Sequence, residues 1–274
     1  MATWFISGCS TGIGRATAHT AAAAGHRVFA TARQPETLSG LAEEYPELVV
    51  PLALDVTDPA SIRYAVTQAV GTGPIDVVVN NAGIGYFSTI EESDPQEARR
   101  VMDTNFWGSA DLTTALLPHM REHRQGHIIT ISSIAGVRGS AGMGYYCASK
   151  WAISGFMESL AKEVAHLGIK VTLVEPGPVL SQWIPSGAKV RDIHPDYAEV
   201  MEPYWERIDA LPGNQPGDPH ALARALLQVA AHDAPPLHLL AGRHAIVQGA
   251  AKAAGLAEEI RQWEQLGLSI DTRA

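Results

Sequence analysis

The sequence predicts an α/β fold, a single doubly wound domain over residues 1–274 with a parallel sheet of about seven strands flanked by helices on both faces. Three observations predict it. Short apolar runs of strand length recur at 3–7, 27–32, 48–54, 75–80, 127–132, 169–174 and 237–240, separated by longer stretches of helical spacing rich in Ala, Leu and Glu. Such alternation calls for parallel strands joined by right-handed helical crossovers, which puts ligand sites beyond the carboxyl ends of the strands. Six of the runs are followed there by a small, polar or glycine-rich group. The apolar fraction of 46% against 18% charged residues supplies enough core for one large domain rather than a disordered chain.

The first run leads into Gly8-Cys9-Ser10-Thr11-Gly12-Ile13-Gly14, which opens a helix. Glycines permit the tight turn and let backbone N–H groups approach an anion, so Gly8, Ser10, Thr11, Gly12, Ile13 and Gly14 are assigned to a dinucleotide pyrophosphate. The spacing is Gly-x3-Gly-x-Gly, not the commoner Gly-x-Gly-x2-Gly. After an alanine-rich helix the run 27–32 ends at Ala32-Arg33, where an acid for the adenosine ribose diol often stands. With no carboxylate there and a forked cation beside it, a ribose 2'-phosphate is the better fit, which favours NADP(H) over NAD(H). After 48–54, Asp55-Val56 offers an acceptor for the adenine amino group, or Asp55 caps the helix beginning near Asp58. The run 75–80 leads into Asn80-Asn81-Ala82-Gly83.

Asp94-Pro95 begins a long helix, as N-cap and first-turn proline, that ends before Gly126. The strand 127–132 then delivers Ser132 and Ser133. The next long helix, 144–167, carries Tyr146 and Lys150 four residues apart, on one face about a turn from each other. A phenol ordinarily titrates near pH ~10 and is a poor acid–base group at neutral pH, and a neighbouring ammonium lowers that value. Ser-His-Asp hydrolysis is the rival reading, but no Gly-x-Ser-x-Gly elbow surrounds either serine. After 169–174 comes Pro176-Gly177. From about 181 to 217 the pattern breaks up, with scattered prolines and exposed-looking Trp183, Tyr204 and Trp205, and is read as a substrate lid. Helical periodicity resumes at Asp218, and the tail after Trp263 is expected to fray.

A formal charge of −9 and the lack of any Lys/Arg run argue against a nucleic-acid partner. No apolar run reaches membrane-spanning length, and the chain enters Thr3-Trp4-Phe5-Ile6 with no signal-like segment before it. Two cysteines, Cys9 and Cys147, make a disulfide framework improbable, so a cytoplasmic location is expected. His119, His123 and His127 recur every four residues, a spacing open to zinc. No supporting carboxylate pattern accompanies them, and they are read as polar residues near a helix end, with no metal site expected.

Taken together, Gly8-x3-Gly12-x-Gly14, Asn80 to Gly83, Asn105, Ser133, Tyr146-x3-Lys150 and Pro176-Gly177 resemble, in order and spacing, the short-chain dehydrogenase/reductase family. The likeness covers about residues 3–185. Tyr146 lies thirteen residues after Ser133, the family's interval, which selects Ser133 over Ser132 and Tyr146 over Tyr145. Gly-Cys-Ser-Thr-Gly-Ile-Gly, Tyr-Cys-Ala-Ser-Lys and Gly-Pro-Val are similar to the branch containing 17-beta-hydroxysteroid and retinol dehydrogenases. The resemblance implies a Rossmann domain and an oxidoreductase that interconverts a carbonyl and an alcohol with NADP(H), here on a fairly hydrophobic ketone or aldehyde. Tyr146 would exchange the proton, Ser133 polarise the oxygen, Lys150 hold the nicotinamide ribose and Asn105 position a water for proton relay. Asn81, Ala82 and Gly83 would line the adenosine side, and Pro176, Gly177, Val179 and Ser181, where the family often has threonine, would cover the nicotinamide. The family's dimers and tetramers bury the two long helices, so a homodimer or homotetramer is expected. Two alternatives use the same fold: a catalytically silent NADP(H)-sensing module, and a lyase or epimerase.

Overall fold

The computed structural model of the chain describes residues 1–271. The chain opens with β1 (Thr3–Ile6), α1 (Gly12–Ala23), β2 (Arg27–Ala32), α2 (Ser39–Glu44), β3 (Val49–Ala53), α3 (Pro59–Val70) and β4 (Val77–Asn80). There follow β5 (Tyr86–Phe87), α4 (Pro95–Met102), α5 (Gly108–His123), β6 (Gly126–Ile131), α6 (Gly144–Val164) and β7 (Ile169–Pro176). The last third holds α7 (Trp183–Ser186), β8 (Ala188–Lys189), α8 (Ala198–Ala210), α9 (Pro219–Ala231), β9 (His238–Ala241) and α10 (Arg243–Leu268).

Seven strands form one sheet in the order β3-β2-β1-β4-β6-β7-β9, every pair parallel. Successive side chains of a strand alternate between faces, and here both faces are covered, which is why the strands read as unbroken apolar runs. Phe5, Phe29, Val78, Ile128 and Leu173 pack toward α3, α5 and α6, whereas Trp4, Ile6, Val28, Val79 and Ile129 pack toward α1 and α9. Strand order reverses between β1 and β4. The crevice at their carboxyl ends is therefore the place for a ligand.

Three helices start by one local rule. Asp58, Asp94 and Asp218 each accept a hydrogen bond from the first-turn backbone, and a proline follows each at the first helical position. Asp58 is thus the cap of α3. Asp55 instead closes a turn, accepting from the Thr57 amide at 2.9 Å and the Thr57 hydroxyl at 2.7 Å, so the capping alternative for Asp55 falls.

Four sequence expectations need correcting. The long helix from Asp94 is two helices, α4 and α5, separated by a π-helical turn over Asp103–Trp107. It ends at Arg124 in the left-handed region, φ 49°, before Gly126, which is already in β6. His127 is consequently a buried strand residue bonded to Thr172, and burial lowers its pKa to about 4. His119 and His123 stack on each other with ring centroids 4.4 Å apart. The excursion 181–217 is built, not broken: β8 pairs with β5, and α8 runs through Pro203. Tyr204 and Trp205 are buried and Trp183 is half-buried, because these aromatics pack on Phe87, Ile184, Met201 and Ile208. Finally, the chain does not fray directly after Trp263, since α10 continues to Leu268, and the end of the tail, 272–274, lies outside the described residues.

Candidate active site

The loop after β1 is shaped by its glycines. Gly8 and Gly12 take φ values of 73° and 59°, the left-handed region that side chains disfavour. Gly14 is required by close packing instead, since a Cβ there would stand 2.3 Å from the Gly8 carbonyl oxygen and 2.4 Å from the Asn81 amide nitrogen. Unlike Asp58, Asp94 and Asp218, Thr11 makes no side-chain cap on its helix, so the first N–H groups of α1 are left for an anion. The loop is held from the neighbouring strand. Asn81 donates through Nδ2 to the carbonyls of Ser7 and Gly8 at 2.9 Å each, and the Ser7 hydroxyl accepts from the amides of Asn81 and Ala82.

The end where the sequence places adenosine is formed at β2 and β3. Arg33 is exposed at the strand end, and its charge acts on Asp55. Partial burial would raise the Asp55 carboxyl, but bonds from the Thr57 hydroxyl and amide, with Arg33, hold it below the ordinary range. A second guanidinium that sequence reasoning overlooked flanks the same loop: Arg15 donates to the Thr37 carbonyl at 2.9 Å. Its position directly after Gly14, in the first turn of α1, was the available signal.

At the other end, Tyr146 and Lys150 share the inner face of α6, both buried, with the ammonium nitrogen 5.9 Å from the phenol ring centroid. Lys150 donates to the Ile131 carbonyl at 2.8 Å. Burial pushes the Tyr146 hydroxyl above its ordinary value, opposed by hydrogen bonding with Ser133. The lowering expected from Lys150 is not found, and burial leaves the phenol protonated, the form that donates. Ser132 and Ser133 separate cleanly. The Ser132 hydroxyl is spent on Ser154 at 3.0 Å and the Lys150 carbonyl, whereas the Ser133 hydroxyl accepts from the Ala135 amide and keeps its own proton to give.

Asn105 sits in the π turn, and its side chain is fully engaged. Oδ1 accepts from the Ile84 amide at 2.8 Å, and Nδ2 donates to the Ile84 carbonyl and the Ser149 hydroxyl at 3.0 Å each. Ser149 in turn donates to the Tyr146 carbonyl at 2.8 Å. Asn105 thus ties the loop after β4 to the helix that carries the tyrosine.

One cavity of about 900 Å³ joins these parts. Gly8, Ser10, Thr11, Gly12, Ile13, Arg33, Asp55, Val56, Asn81, Ala82 and Gly83 line one half, and Tyr146, Lys150, Pro176, Gly177, Val179 and Ser181 the other. Gly14, Ser133 and Asn105 are not among its lining residues, and for Gly14 and Asn105 the bonds and contacts above show why. Beyond Tyr146 the wall is largely apolar, formed by Phe87, Met143, Trp183, Ile184 and Tyr204. Trp183 lies against the phenol with ring centroids 4.7 Å apart. Phe87 and Met143 were missed in the sequence because no periodicity marks a two-residue strand or a helix-start residue as pocket wall.

Lys150 has a measurable signature. Burial lowers its pKa to about 8, while the unfolded chain keeps that proton up to the ordinary lysine value near ~10. Between those values the unfolded state binds more protons, so stability rises with pH through this window. Above it the protonated Tyr146 works the other way. Melting temperatures measured from pH ~7 to ~9.5 should therefore rise for the wild type relative to Lys150→Met. Parallel profiles would contradict it.

Comparison with known proteins agrees with this geometry. The family model described as short chain dehydrogenase matches residues 2–187. Oxidoreductase BOA17 of Botryotinia fuckeliana is 36% identical over 97% of this chain and 98% of its own length. Retinol dehydrogenase 8 of Homo sapiens is 40% identical over 66% of this chain and 60% of its own. Among solved structures, a short-chain dehydrogenase from Streptomyces avermitilis superposes with a TM-score of 0.92 at 36% identity, covering 98% of both chains. A metagenomic short-chain oxidoreductase in complex with NADP gives 0.69 at 28% identity, covering 88% of this chain and 96% of that one.

Proposed function

The chain belongs to the short-chain dehydrogenase family, and from that premise we propose that it is an NADP(H)-dependent oxidoreductase interconverting a hydrophobic ketone or aldehyde and its alcohol. The observation that carries this reading is the single cavity running from Arg33 past the uncapped glycine loop to Tyr146 and Lys150. The residues fit a dinucleotide: Gly8 and Gly12 hold the positive-φ turn, Gly12 and Ile13 at the start of α1 line the cavity, and no side chain caps that helix. When bound, NADP(H) supplies or takes up hydride at C4 of the nicotinamide.

The protein's own groups do the rest. Tyr146 donates its proton to the carbonyl oxygen in reduction and takes it back from the alcohol in oxidation. Ser133 donates a hydrogen bond to the same oxygen and fixes its direction. Lys150 holds the nicotinamide ribose and adds positive charge where the phenolate forms. Asn105 is a positioning residue, and a relay water would bond its backbone, since its amide is already used. Gly177 and Val179 cover the nicotinamide side, while Trp183, Phe87 and the rest of the 181–217 lid exclude water and favour an apolar substrate. The intact Ser133, Tyr146 and Lys150 set favours chemistry over sensing. A lyase or epimerase would instead form product with no net change in cofactor absorbance. Exposed Trp107, at the end of the π turn, and exposed Trp151, on α6, support the expected homodimer or homotetramer. Two free buried thiols suit a reducing compartment such as the cytoplasm.

The cofactor half of this reading is tested at one residue. Arg33→Asp replaces a cation with the anion that repels a 2'-phosphate and binds a free ribose hydroxyl. It should shift the ratio of kcat/KM for NADPH over NADH by about 100-fold or more toward NADH, equivalent to ~3 kcal/mol. Survival of NADPH preference would overturn the assignment.

A further inference from the structure

The charges that line the main cavity do not mirror the chain as a whole. The sequence holds 29 Asp and Glu against 20 Lys and Arg, yet Asp55 is the one acid lining the cavity among the described residues, against Arg33, Arg100, Arg138, Lys150 and Arg207. Three of those cations are accounted for. Arg33 is assigned to the 2'-phosphate, Lys150 stands beside the phenol, and Arg100 pairs with Glu97 along α4. Arg138 and Arg207 are left over. Neither has an ion pair among the described residues.

Both belong to the rim beyond Tyr146. Arg207 follows Tyr204 by about one turn of α8, with its guanidinium carbon 5.6 Å from that ring centroid, and its neighbour Ile208 is cavity wall. Arg138 comes from the loop after Ser133, and Tyr204 lies on that loop. The Tyr204 hydroxyl donates to the Gly142 carbonyl at 3.4 Å, and a Cβ on Gly142 would stand 2.7 Å from the ring. Tyr204 thus joins the two arginine-bearing segments. Arg138 is half-buried, and what it bonds is uncharged: Nη1 donates to Gln248 Oε1 and Nε to the Gly139 carbonyl at 3.4 Å. Arg191 supplies the contrast. It lies over Trp205 of the same helix, outside the cavity lining, and there Asp209 matches it at 2.5 Å.

The way from the phenol to this rim is apolar. Met143 and Trp183 pack both on the cluster holding Tyr146 and on the cluster holding Tyr204. Resting on the oxidoreductase reading above, we propose that the substrate is an apolar ketone or aldehyde with a carboxylate at the end remote from its carbonyl, and that Arg207 and Arg138 receive that carboxylate. A guanidinium presents its N–H donors as a planar fork that matches a carboxylate. A cation partly withdrawn from water also gains more from an anion than a fully solvated one does. The cofactor's own phosphates do not meet this demand, because the glycine loop and Arg33 take them at the other end. The carbonyl then lies at Tyr146 and Ser133, the carboxylate at the rim, and the apolar body between them against Met143, Trp183 and Tyr204.

The test compares methyl ketones of graded length that end in a carboxylate with their methyl esters, with NADPH as reductant. The wild type should show kcat/KM about tenfold or more higher for the best acid than for its ester. Added salt should erode that excess and leave the ester rate nearly level. Arg207→Gln and Arg138→Gln should each lower the acid-to-ester ratio about fivefold or more, a ratio in which a general loss of folded protein cancels. Arg207→Glu should turn the preference toward ketones that end in an amine. Equal kcat/KM for acid and ester in the wild type, or a ratio that neither glutamine variant moves, would overturn the proposal and leave the oxidoreductase assignment standing. If no ketone is reduced, whether acid, ester or amine, that assignment falls and the proposal with it.

Discussion

Tyr146→Phe is expected to lower kcat for carbonyl reduction by about 10²–10⁴-fold while cofactor affinity stays within about twofold. The substitution removes one oxygen and leaves the ring, so the stack with Trp183 at 4.7 Å and the packing around Ala135 and Cys147 persist. What is lost is a hydroxyl that burial holds protonated beside a buried ammonium. Turnover is read as NADPH absorbance against a panel of apolar ketones and aldehydes, and affinity as NADPH fluorescence. Retained turnover would dismiss the assignment of the proton donor. Loss of affinity in step with turnover would mean the tyrosine is structural.

Gly14→Ala should cost roughly 2–3 kcal/mol of stability and abolish cofactor binding, although alanine is the better helix former. The new methyl would collide with the Gly8 carbonyl and the Asn81 amide, both fixed in backbone or in bonds to Ser7. Neither can yield without moving the glycine turn. Gly255→Ala supplies the contrast, because nothing lies within 4 Å of its Cβ and the residue is exposed in α10. There the same substitution should be neutral or stabilising by up to ~1 kcal/mol. Thermal melts of the two variants decide it, and a stable Gly14→Ala protein that binds NADPH would refute the packing role.

The sheet was legible because both of its faces are covered, which makes each strand an unbroken apolar run, and because aspartate followed by proline marks three helix starts without ambiguity. The glycine-loop half of the cavity was legible for a related reason: strand ends are short, and the sequence there is small and polar at each turn. Arg15 escaped because its neighbours in space come from the loop after β2, not from its own segment. The lid was misjudged in a more general way. Trp183, Tyr204 and Trp205 look exposed when read against local prolines, yet they bury one another and Phe87, a contact made across more than a hundred residues of chain. Periodicity cannot register such a pairing, and β5 and β8 are too short to have any.

Between α4 and α5 one feature limits what the chain can tolerate. A π turn holds one more residue per hydrogen-bonded loop than the α-helix around it, so Asp103–Trp107 works as a single inserted residue. Closing the ladder as ordinary α-helix with all residues kept would swing everything beyond it by about 100° around the axis, whereas deleting one of the five would keep the two helices in phase and erase the widened turn. In the first case Leu112, Leu116 and Met120 would rotate out of the core, and in the second Asn105 would turn away from Ile84 and Ser149. In most helices the identity of a residue is what drift must respect; in this segment it is the count, and a one-residue gap should be rarer than any substitution.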